Sequence, residues 1–268
     1  MFAPGLFKND VALITGGGTG IGFDVAKELG LLGAKVAICG RRPEPLQKAV
    51  EELGKLGIEA FGTPCDIRDV EQIKAAVDAV KAKFGRIDIL VNNAGGQFPT
   101  AAEALSPRGF EAVVRNNLLG TWNMTHAVAT AAFIPQKRGR IVNVVAQMKR
   151  GFPGMVHTGA ARAGVENLTK TLAIEWAAYG VRVNAVAPGV IKTTGTDQYP
   201  AELLEAAAKR VPLRRIGLSH EVSHLIVYLA SKQADFITGQ CLYIDGGQSL
   251  YGDTWIVPDE VPQYPPES

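Results

Sequence analysis

The sequence predicts an α/β protein built on one doubly wound parallel sheet with helices on both faces. Two observations predict it. An apolar run of strand type, Val11–Thr15, breaks into a cluster of glycines and resumes as a helix, and strands then alternate with helices along the rest of the chain. The 268 residues, 47% of them hydrophobic, suffice for one sizeable core. No linker, repeat or low-complexity stretch divides them, so a single domain is expected over residues 1–268, with its core at about 8–250 and a tail at 251–268.

The glycine junction reads as a phosphate site, because glycines let the backbone turn sharply and the following helix aims unpaired N–H groups at an anion. Its spacing is T-G-x-x-x-G-I-G, with Gly16, Gly20 and Gly22 after Thr15. Behind it Val25, Leu29 and Leu32 share a helical face, Gly33 closes that helix, and residues 35–39 return as a buried strand. Pro43 and Pro45 open a second helix in which Leu46, Ala49, Val50, Leu53 and Leu56 recur at helical spacing up to Gly57. A short strand leads to Cys65-Asp66. A third helix carries Ile73, Val77, Val80 and Phe84 and stops at Gly85, and the apolar run 87–91 ends at Asn92-Asn93-Ala94-Gly95. Residues 111–133 read as a long helix covered on more than one face, 141–145 as a buried strand, and 159–179 as a second long helix. A strand over 181–187 breaks at Pro188-Gly189. Residues 192–209, with Gly195 and Pro200, read either as a substrate lid or as an ordinary surface segment. Ser219 is expected to cap a last helix, and 240–245 to form the last strand. In such a sheet, ligands sit at the carboxyl ends of the strands.

Composition excludes several classes of function. The formal charge is +2, with no basic run beyond pairs such as Arg41-Arg42 and Lys149-Arg150, so no nucleic-acid partner is expected. Cys39, Cys65 and Cys241 are odd in number and far apart, and read as reduced core thiols. There is no C-x-x-C or H-E-x-x-H; His220 and His224 share a helix face, but no metal is expected. No apolar run is long enough to span a bilayer, and neither a leader nor a terminal S-K-L address is read, so the expected location is cytoplasmic with no membrane partner.

Taken together, residues 15–22, Asp66, Asn92-Asn93-Ala94-Gly95, Asn117, residues 182–189, 237–239 and 245–247 make the chain resemble the short-chain dehydrogenase/reductase superfamily. The resemblance implies a Rossmann-type fold and a nicotinamide cofactor. It places the pyrophosphate on Gly16, Thr19, Gly20, Ile21 and Gly22, the adenine at Asp66 with Ile67 beside it, and Asn93, Ala94 and Gly95 along the cofactor. Pro188, Gly189 and Ile191 are then expected at the nicotinamide carboxamide. The second strand ends in Gly40, Arg41 and Arg42, where NAD-preferring relatives carry an acid. NADP(H) is therefore the expected cofactor, its 2′-phosphate met by arginine. The family's pairing of long helices with their copies implies a homotetramer, or at least a dimer.

The chain departs from the family at its usual Ser-Tyr-Lys set. The tyrosine and lysine positions are Thr158 and Arg162, the serine falls at Val145 or Ala146, and only the helix asparagine remains, as Asn117. A threonine hydroxyl cannot replace a phenol as an acid, because its pKa lies far above about 10. Arg162 can hold a ribose but cannot pass a proton. Residues 157–165, Gly95-Gly96-Gln97-Phe98 and residues 246–251 are similar to the peroxisomal trans-2-enoyl-CoA reductases and, more distantly, to the 2,4-dienoyl-CoA reductases. That resemblance implies a small-molecule acyl-CoA substrate whose C=C bond is reduced through an enolate, for which hydrogen-bond donors suffice.

The candidate donors are Arg162, Asn117, Gln147, His157 and Thr158. Gln147 stands where the dienoyl-CoA reductases carry their substituted tyrosine, and His157 has an imidazole able to relay a proton through water. Lys149 is a further possible acid or a contact for CoA phosphate. Two bland alternatives stay open: Arg162 paired with Glu166 one turn later, and His157 as a structural hydrogen bonder. Two other functions also stay open, an NADP-dependent dehydrogenase of long-chain or terpenoid alcohols and a cofactor-binding regulator without chemistry.

Overall fold

A computed structural model describes residues 2–193, 196, 200–252 and 257–263. In chain order the first half gives β1 (Val11–Thr15), α1 (Gly20–Leu31), β2 (Lys35–Gly40), α2 (Pro43–Lys55), β3 (Ala60–Pro64), α3 (Val70–Phe84) and β4 (Ile89–Asn92). A continuous helical run follows: α4 (Pro107–Val114), a π-turn at Arg115–Leu119, α5 (Gly120–Val128), a second π-turn at Ala129–Phe133, and α6 (Ile134–Gln136). The second half gives β5 (Gly139–Val144), α7 (Val156–Glu175), β6 (Val181–Pro188), β7 (Ile191–Lys192), α8 (Ala201–Lys209), β8 (Gly217–Leu218), α9 (Ser219–Ala230) and β9 (Cys241–Ile244).

Seven strands form one sheet in the order β3-β2-β1-β4-β5-β6-β9, every neighbouring pair parallel. The central strands read as unbroken apolar runs because both faces are covered. On one face Val25, Leu29, Leu46, Leu53, Val222 and Ile226 of α1, α2 and α9 fill the core. On the other, Ile73, Val77, Met124, Phe133 and Leu172 come from α3, the long helical run and α7. Polar side chains cross this second layer: Asn92 Nδ2 donates to Thr125 Oγ1 and Asn143 Oδ1, each at 2.8 Å, and Asn143 Nδ2 donates to Thr169 Oγ1 at 2.9 Å. Because β1 leads to β2 on one side while β4 lies on its other side, the loops leaving β1 and β4 part and open a crevice at the carboxyl ends.

Helix ends are where the structure departs from the sequence reading. The long run begins at Pro107, four residues before the expected 111, because Ser106 Oγ accepts from Gly109 N at 3.1 Å and Pro107 suits the first turn. The helix α7 begins at Val156, three residues before the expected start, which puts His157 and Thr158 in its first turn. Ser219 is not the cap of α9 but its first residue. The carboxylate of Glu221 reaches back to accept from Leu218 N at 2.8 Å and does the capping. Of the segment 192–209, Ala201–Lys209 form α8, while 194, 195 and 197–199 lie outside the described residues and with them part of the lid reading. Cys39 and Cys65 are buried free thiols, whereas Cys241 is half-buried on the edge strand β9. Among the described residues no helix is long and apolar enough to cross a membrane, and no cluster of ligating side chains could hold a metal.

Candidate active site

The crevice is a cleft of about 370 Å³ whose wall includes Thr19, Ile21, Arg41, Asp66, Asn93 and Thr193. Its floor is the turn between β1 and α1. Gly16 and Gly20 take φ of +65° and +56°, values that favour glycine. A Cβ on Gly22 would stand 2.3 Å from Gly16 O, so the helix can approach the loop this closely only without one. The turn is laced to the loop after β4: Thr15 Oγ1 accepts from Asn93 N at 3.1 Å and Ala94 N at 3.0 Å, and Asn93 Nδ2 donates to Thr15 O at 3.1 Å and Gly16 O at 3.2 Å. No acid stands in the first turn of α1. The result is a backbone cradle at a helix N-terminus, and it fits a pyrophosphate.

Arg41 and Arg42 are exposed at the rim beyond β2. Asp66 and Ile67 line the cleft as expected, but the Asp66 carboxylate is already taken: Arg68 Nε lies 2.9 Å from its Oδ1 and 3.0 Å from its Oδ2. The sequence reading missed Arg68; a guanidinium two residues beyond an acid in a turn was the available signal. Pro188, Gly189 and Ile191 stand at and just beyond the carboxyl end of β6 and do not line this cleft, where Thr193 comes nearest to Gly20.

At the other end, Arg162 projects from α7 with 7% of its surface exposed. Its Nη1 donates to Val144 O at 2.7 Å, and a Cβ on Gly95 would stand 2.2 Å from its Nη2 and 2.7 Å from Asn117 Oδ1. The guanidinium is thus packed between the end of β5, Gly95 and Asn117. Glu166 does not pair with it; that carboxylate accepts from Lys170 at 2.7 Å. Burial draws the Arg162 pKa down to about 10, so at neutral pH the group is a cation without an acid partner among the described residues.

Asn117 differs from expectation. The π-turn carries it inward, where Nδ2 donates to Gly96 O at 2.7 Å and Val113 O at 2.9 Å, so both amide hydrogens are spent. It positions the loop 95–96 and has no hydrogen left for an oxyanion. His157 and Thr158 are fully buried. His157 Nδ1 accepts from Thr158 N at 2.8 Å, which assigns the ring proton of the neutral form to Nε2. That Nε2 is buried without a partner among the described residues, and the ring meets Phe98 edge-on at 4.7 Å between centroids. Thr158 Oγ1 lies 3.2 Å from the same Nδ1. Gln147 N donates to Pro188 O at 2.8 Å, while its half-buried side chain makes no hydrogen bond among the described residues; Lys149 is exposed.

A family model described as enoyl-(acyl carrier protein) reductase matches residues 16–249. The peroxisomal 2,4-dienoyl-CoA reductase of Arabidopsis thaliana is 38% identical over 257 residues, 92% of this chain and 86% of that protein. A probable 2,4-dienoyl-CoA reductase of Bacillus subtilis is 39% identical over 253 residues, 91% of this chain and 98% of its own. Among solved structures, the citronellol catabolism dehydrogenase of Pseudomonas aeruginosa superposes with a TM-score of 0.84 at 43% identity, covering 93% of this chain and 98% of that one. A variant of actinorhodin polyketide ketoreductase, solved with NADPH, gives a TM-score of 0.87 at 34% identity over 93% and 100% of the two chains.

Proposed function

This chain belongs to the short-chain dehydrogenase/reductase family and is an oxidoreductase, and from that premise we propose that it reduces the C=C bond of an enoyl-CoA or dienoyl-CoA thioester with NADPH. The observation that carries the reading is the buried Arg162, without an acid partner among the described residues, at a site where the family's phenol is replaced by Thr158. A carbonyl reduction needs an acid for the nascent alkoxide, and Thr158 is none. An enolate needs only positive potential and donors.

A bound nicotinamide would supply hydride to the β-carbon of a 2-enoyl thioester or to the δ-carbon of a 2,4-dienoyl thioester. The charge that arises on the thioester oxygen is stabilised by Arg162, whose low-dielectric surroundings strengthen its field. His157 offers Nε2–H and Gln147 its amide NH₂ as further neutral donors, and the α-carbon proton comes from solvent water. Asn117 holds Gly96 in place beneath these groups.

The cradle fits a dinucleotide, and Arg41 and Arg42 favour the 2′-phosphate of NADP(H) because they stand directly after β2, where an acid would instead bind the ribose hydroxyls. For the wild type, kcat/KM with NADPH should exceed that with NADH, and Arg41→Ala should narrow the ratio; a wild type that prefers NADH overturns this assignment. A homotetramer and a cytoplasmic location complete the reading, the latter supported by buried free thiols and the Bacillus relative, although other relatives are named peroxisomal.

The similarity to the citronellol dehydrogenase favours a second reading, oxidation of terpenoid alcohols with NADP. Incubation with NADPH and crotonyl-CoA or a 2,4-dienoyl-CoA, then with NADP and citronellol, separates the two. Cofactor consumption with the thioesters is expected. Turnover with the alcohol alone selects the second reading, and turnover with neither leaves a cofactor-binding regulator.

A further inference from the structure

We infer that Arg68 makes recognition of the adenine depend on the cofactor's 2′-phosphate, by occupying the adenine-binding carboxylate of Asp66 until a phosphate draws it away. The inference rests on the reading that the cleft holds NADP(H).

Asp66 follows Cys65, whose N donates to Gly40 O at 2.9 Å, so the carboxylate leaves the end of β3 beside the place where Arg41 leaves β2. Each carboxylate oxygen has room for about two donors. Oδ1 accepts from the Arg68 backbone N at 3.0 Å and from Nε at 2.9 Å; Oδ2 accepts from Nε at 3.0 Å and from Nη2 at 2.5 Å. Arg68 thus brings three hydrogens to the carboxylate, the Nε hydrogen shared between both oxygens, and its fork covers the two oxygens at once. The turn that allows this is closed by Asp69 N donating to Asp66 O at 3.0 Å, after which Asp69 caps α3. Arg68 and, more weakly, Arg41 hold the Asp66 carboxyl below its usual range, which places Arg41 within electrostatic reach of the pair.

An adenine amino group is a neutral donor and competes poorly with a guanidinium fork for a carboxylate. A phosphate monoester is a better partner for that fork than a carboxylate is, because it carries more charge and three acceptor oxygens. The side chain of Arg68 is 39% exposed and that of Asp66 20%, so the guanidinium is free to turn and the pair is a weak one to open. When a 2′-phosphate enters, Arg68 turns from Asp66 to join Arg41 at the phosphate, and the vacated oxygens accept from the adenine amine. A cofactor with a ribose hydroxyl at that position offers Arg68 nothing and meets an occupied Asp66. Arg68 thus discriminates twice, by attracting one cofactor and obstructing the other.

The test is the Kd of NADPH and of NADH, measured by calorimetry for the wild type, Arg68→Ala, Arg68→Gln and the double variant Arg68→Ala with Asp66→Asn. Loss of Arg68 is expected to weaken NADPH about fivefold and to tighten NADH by about two- to threefold, within the range of one exposed ion pair. The double variant should lose the NADH gain, because the freed acceptor is gone. NADH binding that is unchanged or weaker in both Arg68 variants overturns the inference. A wild type that binds NADH more tightly than NADPH instead overturns the cofactor reading, and the NADH gain still reports on the clasp alone.

Discussion

Arg162 is a buried cation that costs folding free energy, since no acid among the described residues neutralises it and its pKa falls to about 10. Between about 10 and the higher value of an unfolded arginine the unfolded chain binds more protons, so stability rises with pH there and the cost is present in full at neutral pH. Tolerance of that cost is what a functional charge predicts. Arg162→Met, which keeps much of the volume, should therefore leave the melting temperature equal or higher while lowering hydride transfer on the order of a hundredfold. A lower melting temperature would assign Arg162 to the frame. In single turnover at saturating NADPH, Arg162→Ala, Gln147→Ala and His157→Ala are each expected to slow hydride transfer; if all three keep the wild-type rate, the enolate site lies elsewhere. At this scale the glycine spacing was legible because Gly16, Gly20 and Gly22 answer to backbone demands that act within a few residues. The spent amide of Asn117 and the clasp of Arg68 on Asp66 were not, because both depend on which way a turn aims a side chain.

Strands and helix interiors were legible because periodicity accumulates over many residues, and the ends of the first three helices were legible because Gly33, Gly57 and Gly85 turn the chain with positive φ, whereas a start needs a capping side chain to signal it. The start of α7 carries no such signal: Met155 stands at its cap position without a side-chain bond. The two π-turns each span five residues, too few to disturb an apolar repeat, yet the first one turns Asn117 inward. The start of α9 gave a misleading signal in Ser219, while Glu221 bonds both Leu218 N and Arg215, the latter at 2.6 and 2.8 Å. These partners hold its pKa below the ordinary 4.5, Arg215 contributing most. A depressed carboxylate stabilises the fold above its unfolded pKa and loses that contribution as pH falls through the lower folded value. With both partners partly exposed, Glu221→Gln should cost on the order of 1 kcal/mol at pH 7 by urea unfolding. The difference from wild type should narrow progressively as the pH is lowered from 4.5 through the depressed folded value, and Ser219→Ala should change little throughout. A gap that stays constant over that fall would show that packing, not charge, is lost.

At the scale of the molecule, one sheet places the phosphate cradle of β1, the rim of β2 and the loop after β4 around a single crevice, while α7 brings Arg162 beneath Gly95 from the opposite layer. The same arrangement leaves apolar surface outside. Ile174 on α7 is 80% exposed, and beside it lies β9, the last strand of the sheet among the described residues, which leaves Tyr243 exposed. Leu119 and Phe110 are exposed on the long helical run. Burying a side chain such as Ile174 is worth about 1.5–3 kcal/mol, and a two-fold contact between copies counts every substitution twice. A charge at this position should therefore weaken assembly out of proportion to its size. Light scattering at micromolar concentration is expected to find a tetramer for the wild type and a smaller species for Ile174→Glu, with NADPH binding retained because Ile174 does not line the cofactor cleft. A wild type that remains monomeric removes the tetramer from the proposed function, and an Ile174→Glu tetramer moves the interface to the face carrying Leu119 and Phe110.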